Sequence, residues 1–169
     1  MADSKTFTLG LSKIEIGAIA EDGGMGTTLA QLGYTREDSC SLTQEDPTTN
    51  EFFAEEVDDP VISISKAGKY TFAFSIMDPS VSVLADLMGG TATTASDKWD
   101  APSGAVTIEK SVKITPKQGF IFEIPRMSIV AKWNAPLSKT DIVTIECTGT
   151  VMAPTKEGVS KLTATRISA

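Results

Sequence analysis

Between Lys69 and Met77 every second residue is large and apolar. Tyr70, Phe72, Phe74 and Ile76 fall on one side of an extended chain, and Thr71, Ala73 and Ser75 fall on the other. A period of two marks a half-buried β-strand, because helical side chains return to one face only about every 3.6 residues. The alternation recurs. Val61–Ser65 places Ile62 and Ile64 together, and Gly119–Ile124 places Phe120, Phe122 and Ile124 together. Ala105–Thr115 aligns Val106, Ile108, Val112 and Ile114, with Lys110 interrupting the row. Ile142–Met152 sets Val143, Ile145, Cys147 and Val151 against Thr144, Glu146, Thr148 and Thr150. Shorter candidate strands lie at Ser12–Ile19, Ser39–Glu45, Ser128–Trp133 and Lys161–Ile167. Strands with one apolar face must pair and close those faces on one another. The expected fold is mainly β, a β-sandwich or barrel.

One α-helix flanks these strands. Asp78 offers an N-cap oxygen and Pro79 suits the first helical position, where its missing N–H costs nothing. Val81, Leu84, Ala85 and Met88 then form one apolar stripe, and Gly89-Gly90 ends it. At 169 residues the chain fits one domain over 1–169 with a real core. Two stretches, 21–38 and 91–104, are longer than ordinary connections, which places them among functional or irregular loops. A short helical turn is expected at Thr27–Leu32 inside the first. Residues 154–169 read as an extended C-terminal segment.

The chain has no histidine, so triads of the Ser-His-Asp or Cys-His type are excluded. A net charge of −7 argues against a groove that grips nucleic-acid phosphates. No apolar run approaches the roughly 20 residues of a membrane-spanning helix. Residues 1–11 lack the apolar core of a secretory signal, so a product of the cytoplasm is expected, with no membrane partner. Cys40 and Cys147 belong to no CxxC pair and read as reduced thiols.

The densest charge feature is Glu45, Asp46, Glu51, Glu55, Glu56, Asp58 and Asp59, with no Lys or Arg among them. Read as a hairpin, Ser39–Asp46 pairs with Glu51–Asp58 around Pro47-Thr48-Thr49-Asn50. The DxDxDG pattern of a calcium loop is absent. Paired-carboxylate catalysis needs two carboxyls opposed across a pocket, which neighbours on one hairpin do not supply. A solvated acidic face, a docking role and repulsion of nucleic acid remain. Gly23-Gly24-Met25-Gly26-Thr27 lacks the Gly-Lys-Ser/Thr of a phosphate loop. Arg126, Lys132 and Trp133 are too few for a nucleic-acid patch. No residue is a candidate for catalysis, cofactor binding or metal binding.

The order of elements from Leu32 to Gly90 resembles a known family. Leu32-Gly33-Tyr34-Thr35 and Leu42-Thr43-Gln44-Glu45 come first, followed by acidic positions to Asp59. The strand Lys69–Ile76 and a helix ending Leu84-Ala85-Asp86-Leu87-Met88-Gly89-Gly90 complete the pattern. It is similar to the tail tube proteins (major tail proteins) of long-tailed phages and prophages. The resemblance covers the middle third of the chain and rests on element order and residue type.

That resemblance implies a non-enzymatic structural subunit of a virion tail, assembled in the host cytoplasm. It implies a β-sandwich or barrel whose copies form hexameric rings, which stack into a hollow tube and meet other tail proteins. Double-stranded DNA passes along the bore without specific binding, and no cofactor is needed. DNA carries one negative charge per roughly 1.7 Å of axis, so a conduit must give phosphates nothing to hold. Glu109, Glu123 and Glu146 face outward on the expected strands and are candidate channel-lining groups. Glu45, Asp46, Glu51, Glu55, Glu56 and Trp99 are candidate subunit or ring contacts. The alternative is a non-viral β-sandwich module that binds a ligand or a protein on its polar loops.

Overall fold

A computed structural model describes residues 5–168. The strands, in chain order, are β1 (Lys13–Gly17), β2 (Ala30–Gln31), β3 (Ser41–Gln44), β4 (Thr48–Ala54), β5 (Val57–Lys66) and β6 (Tyr70–Ile76). Helix α1 (Val81–Met88) follows. Then come β7 (Thr91–Thr93), β8 (Lys98–Asp100), β9 (Ile108–Thr115), β10 (Phe120–Asn134), β11 (Thr144–Val151) and β12 (Thr163–Arg166). The main sheet is antiparallel in the order β2-β1-β9-β10-β11-β6-β3, with β12 also on β10. The fold is mainly β, a sandwich with one helix, as the alternation predicts.

The sandwich comes from one bend. Gly119–Ile124 and Ser128–Trp133 are parts of a single strand of 15 residues, β10, and not two strands. Its pairing with β9 slips between Ile124 and Met127, where Pro125 has no N–H to give the ladder. Before that bulge β10 carries β12 at Phe120–Glu123, and after it β10 carries β11 at Met127–Asn134. Both halves turn their apolar faces onto one core. Ile14, Ile16, Val112, Ile114 and Ile124 meet Phe72, Phe74, Ile76, Met127, Ile129, Ile145 and Cys147 there. Gly149 makes the packing possible, because a Cβ at that position would sit 2.4 Å from the Met127 Sδ.

Two interruptions in the apolar rows have physical reasons. Lys110 shares the register of Val112 and Ile114, but its stem runs out to the surface and its ammonium reaches Asp86 of α1 at 3.4 Å. Val106 lies outside β9, half-exposed and packed against Gly89.

The helix is where expected, but its cap is not Asp78. The Ser80 Oγ accepts from the Val83 N–H at 3.3 Å, while the Asp78 carboxylate accepts from the Tyr34 N–H at 2.6 Å. The Asp78 carboxylate is taken by the Tyr34 amide, and the Ser80 hydroxyl caps the first turn in its place. The buried face is also rotated, to Leu84 and Leu87, away from Val81. Gly89 stops the helix at φ 76°, with its N–H donating to the Ala85 carbonyl. Ser80→Ala is expected to cost about 1 kcal/mol in urea denaturation. Asp78→Ala, which leaves the cap intact, tests whether the loss belongs to Ser80.

The long connections are less irregular than their composition implies. Thr27–Leu32 forms no helical turn. It supplies β2 on the edge of β1, and Leu32 enters the core with 2% exposure. Residues 91–100 form a small β7–β8 hairpin. The C-terminal segment returns to the sheet as β12, opposite Phe120–Glu123.

Candidate functional site

The acidic segment folds differently from the hairpin read in the sequence. Ser39–Asp46 does not pair with Glu51–Asp58, and Pro47–Asn50 is not its turn. Instead β3 pairs with β6, β4 pairs with β5, and the chain reverses at Glu55-Glu56. Pro47 interrupts hydrogen bonding without reversing the chain.

The pairing offset is shared by the two ladders. Ser41 faces Ala73, Gln44 faces Tyr70, Thr48 faces Lys66 and Phe52 faces Ile62, all in one unbroken register. The join is held by the Glu45 N–H donating to the Lys69 carbonyl at 3.0 Å, and by a Glu45–Lys69 ion pair at 3.3 Å. Gly68 is required here, because a Cβ on it would lie 1.7 Å from the Glu45 carbonyl oxygen. So β3–β4 and β5–β6 form one long hairpin. Its base belongs to the sheet, and its far part projects as an arm over 48–66.

A continuous register keeps each residue's face. The even-numbered residues that point into the core on β6, Phe72 and Phe74, continue on the arm as Ile64 and Ile62, with Phe52 opposite. On the arm nothing covers them. Phe52, Ile62 and Ile64 are 55%, 54% and 56% exposed, and every residue of β5 is exposed. The opposite face carries Thr49, Glu51, Ser63 and Ser65, with Thr49 and Ser65 hydroxyls 3.2 Å apart, and toward the tip, where the register shifts, Phe53 and Val61 are exposed as well. A lone two-stranded hairpin is marginal in water. This arm is a piece of core pattern whose facing layer is missing.

The predicted contact residues now have positions. Glu45 and Asp46 sit at the arm's base, Glu51 on its polar face, and Glu55 and Glu56 at its tip, with Asp58 and Asp59 just beyond. Among the described residues Asp46, Glu51, Glu55, Glu56, Asp58 and Asp59 form no ion pair. Trp99 is elsewhere, on the β7–β8 hairpin. Its indole N–H donates to the Gly89 carbonyl at 2.9 Å and its ring meets Trp133 edge-on at 6.2 Å. Trp99 thus anchors a loop within its own domain.

The three outward glutamates do face away from the core, but each is paired. Glu109 accepts from the Arg126 Nε and Nη2 at 2.9 and 3.0 Å, and this guanidinium holds its carboxyl below the usual carboxylate range. Glu123 lies 3.7 Å from Lys113, and Glu146 lies 3.3 Å from Lys132 while accepting from Asn134 at 2.9 Å. Glu109 and Glu146 belong with the second half of β10, whereas Glu123 lies before its bend. A wall made from them carries balanced charge.

The Gly-rich loop has its amides filled by the protein's own oxygens. Gly24 donates to the Asp22 carboxylate at 3.0 Å and Gly26 donates to the Ser111 Oγ at 2.9 Å. Among the described residues no group of three or more His, Cys, Asp or Glu is placed to hold a metal ion.

Both cysteines are free, and burial pushes Cys40 up to about 11 and Cys147 up to about 12. Folded protein therefore holds both as thiols where the unfolded chain ionises. Their stabilising effect is complete below about pH 8.5 and is lost as pH rises through about 11 and 12. Maleimide at pH 7.5 is expected to label Cys147 at least tenfold faster in urea than in buffer, as read by mass spectrometry.

Two features are not visible in the sequence. One is that the row of Ile62 and Ile64 lies uncovered on an arm; the other is a cleft of about 500 Å³ lined in part by Gly10, Lys13, Tyr34, Arg36, Cys40 and Lys117. No protein-family model matches the chain, and no curated protein matches it.

Proposed function

We propose that this protein is a self-assembling structural subunit of a phage or prophage tail tube, acting by assembly and not by catalysis. Its copies form hexameric rings that stack around a DNA conduit in the virion tail and join other tail proteins. One observation carries this reading: an arm that extends the sheet in register and presents core-type side chains with nothing upon them. Such a surface fits a partner that supplies the missing layer, and many copies of one chain supply it repeatedly. The charge pattern agrees. Arg126, Lys132 and Lys113 are each matched by a glutamate, so they offer DNA phosphates no free cation.

Sedimentation across a concentration series, with negative-stain microscopy of the same samples, tests the reading. Rings, tubes or a discrete oligomer support it. A monomer at every concentration that holds a ligand in the cleft overturns it in favour of a binding module.

A further inference from the structure

The arm needs a matching surface, and the chain carries one at its N-terminal segment. Leu9 donates from its N–H to the Gln118 carbonyl at 3.1 Å and its carbonyl accepts from the Lys117 N–H at 3.2 Å. The Gln118 Nε2 donates to the Phe7 carbonyl at 3.4 Å. These bonds fix Phe7, Leu9 and Lys117 as one surface. Phe7 and Leu9 are 83% and 59% exposed, so this is a second apolar patch without cover. Two lysines at its edge have the opposite charge to the tip of the arm. Lys5 and Lys117 are exposed and form no ion pair among the described residues; Lys117 also lines the cleft, where Lys13 and Arg36 are already paired with Glu15 and Asp141 and stand beside Glu37 and Asp38. The arm offers an apolar row with a free acidic tip, and this surface offers an apolar patch with a free basic edge.

We infer that the arm of one copy docks on the Phe7–Leu9–Lys117 surface of a second copy, with Glu55 and Glu56 directed toward Lys5 and Lys117. The inference rests on the self-assembly reading and names the partner surface within it. Arm and receptor are different patches, so the contact is head to tail. Such a contact closes into a ring when its rotation permits and otherwise propagates as a filament. The charges set register and encounter rate, while the apolar rows supply most of the hold.

A charge exchange tests the docking. The first variant carries Glu55→Lys and Glu56→Lys, and the second carries Lys5→Glu and Lys117→Glu. Among the described residues none of these four has an ion pair to lose. Each variant alone is expected to need at least tenfold more protein for half-assembly, by sedimentation at low salt. An equimolar mixture is expected to assemble near the unaltered concentration, because each basic arm then meets an acidic receptor and each acidic arm a basic one. If the second variant assembles normally, or the mixture is no better than its components, the docking is wrong although assembly stands. If the unaltered protein stays monomeric throughout, the assembly reading fails and the docking fails with it.

Discussion

Replacing Phe52 and Ile62 together by Asp is expected to leave the subunit folded and to remove its ability to assemble. The two side chains face each other across the arm, and both are more than half exposed. Exposed substitutions of this kind usually change stability by no more than about 0.5 kcal/mol, and loss of the cross-strand pair adds about 0.2–1 kcal/mol. The core is not touched, so cooperative unfolding should persist. Assembly faces a different demand. Two carboxylates would have to enter a dry contact without partners, which costs several kcal/mol in real proteins. Half-assembly is expected to shift by at least about 100-fold, roughly 2.8 kcal/mol at 1.4 kcal/mol per factor of ten.

The face of the arm provides the control. Thr49→Asp puts a charge on the opposite side, opposite Ser65 and beside Glu51, where polar groups already stand. It is expected to shift assembly by less than threefold. Equal loss from both faces would mean that general acidity, and not the apolar row, governs the contact. Normal assembly of the Phe52→Asp, Ile62→Asp variant would remove the arm from the interface altogether.

The sandwich was legible because its strands obey a local rule. Phe72, Phe74 and Ile76 are buried just as their spacing demands, and so are Ile145, Cys147 and Val151. The arm obeys the same rule, which is why the sequence misled. Ile62 and Ile64 alternate like core residues, and only the three-dimensional register shows that no layer lies over them. The turn was misplaced because Pro47, Thr48, Thr49 and Asn50 have turn chemistry, whereas Glu55-Glu56 does not. Helix capping failed for a related reason. Asp78 and Ser80 both carry suitable oxygens, and the choice was settled by Tyr34, 44 residues away, whose N–H takes the Asp78 carboxylate. The ion pairs of Glu109, Glu123 and Glu146 join neighbouring strands, so strand order had to be known first.

Ser111 is a polar residue that is fully buried. It lies on β9 between Lys110 and Val112, and its exposure is 0%. Its Oγ donates to the Pro125 carbonyl at 2.7 Å and accepts from the Gly26 N–H at 2.9 Å. One hydroxyl thus ties the Gly-rich loop to the bulge that bends β10. Gly26 comes so close that a Cβ there would sit 2.1 Å from the Ala18 carbonyl oxygen, so little space is open to water. Ser111→Ala leaves the Gly26 N–H without its acceptor and takes a donor from Pro125. At about 1–3 kcal/mol for each deprived group, a loss of about 2–6 kcal/mol is expected in urea denaturation. The Gly26 amide should also exchange with solvent at least tenfold faster, while amides in β6 and β11 keep most of their protection. Thr148→Ala, on an exposed position of β11, is expected to cost less than about 1 kcal/mol. A Ser111→Ala protein as stable as its parent would show that the loop and the bulge hold their shapes independently.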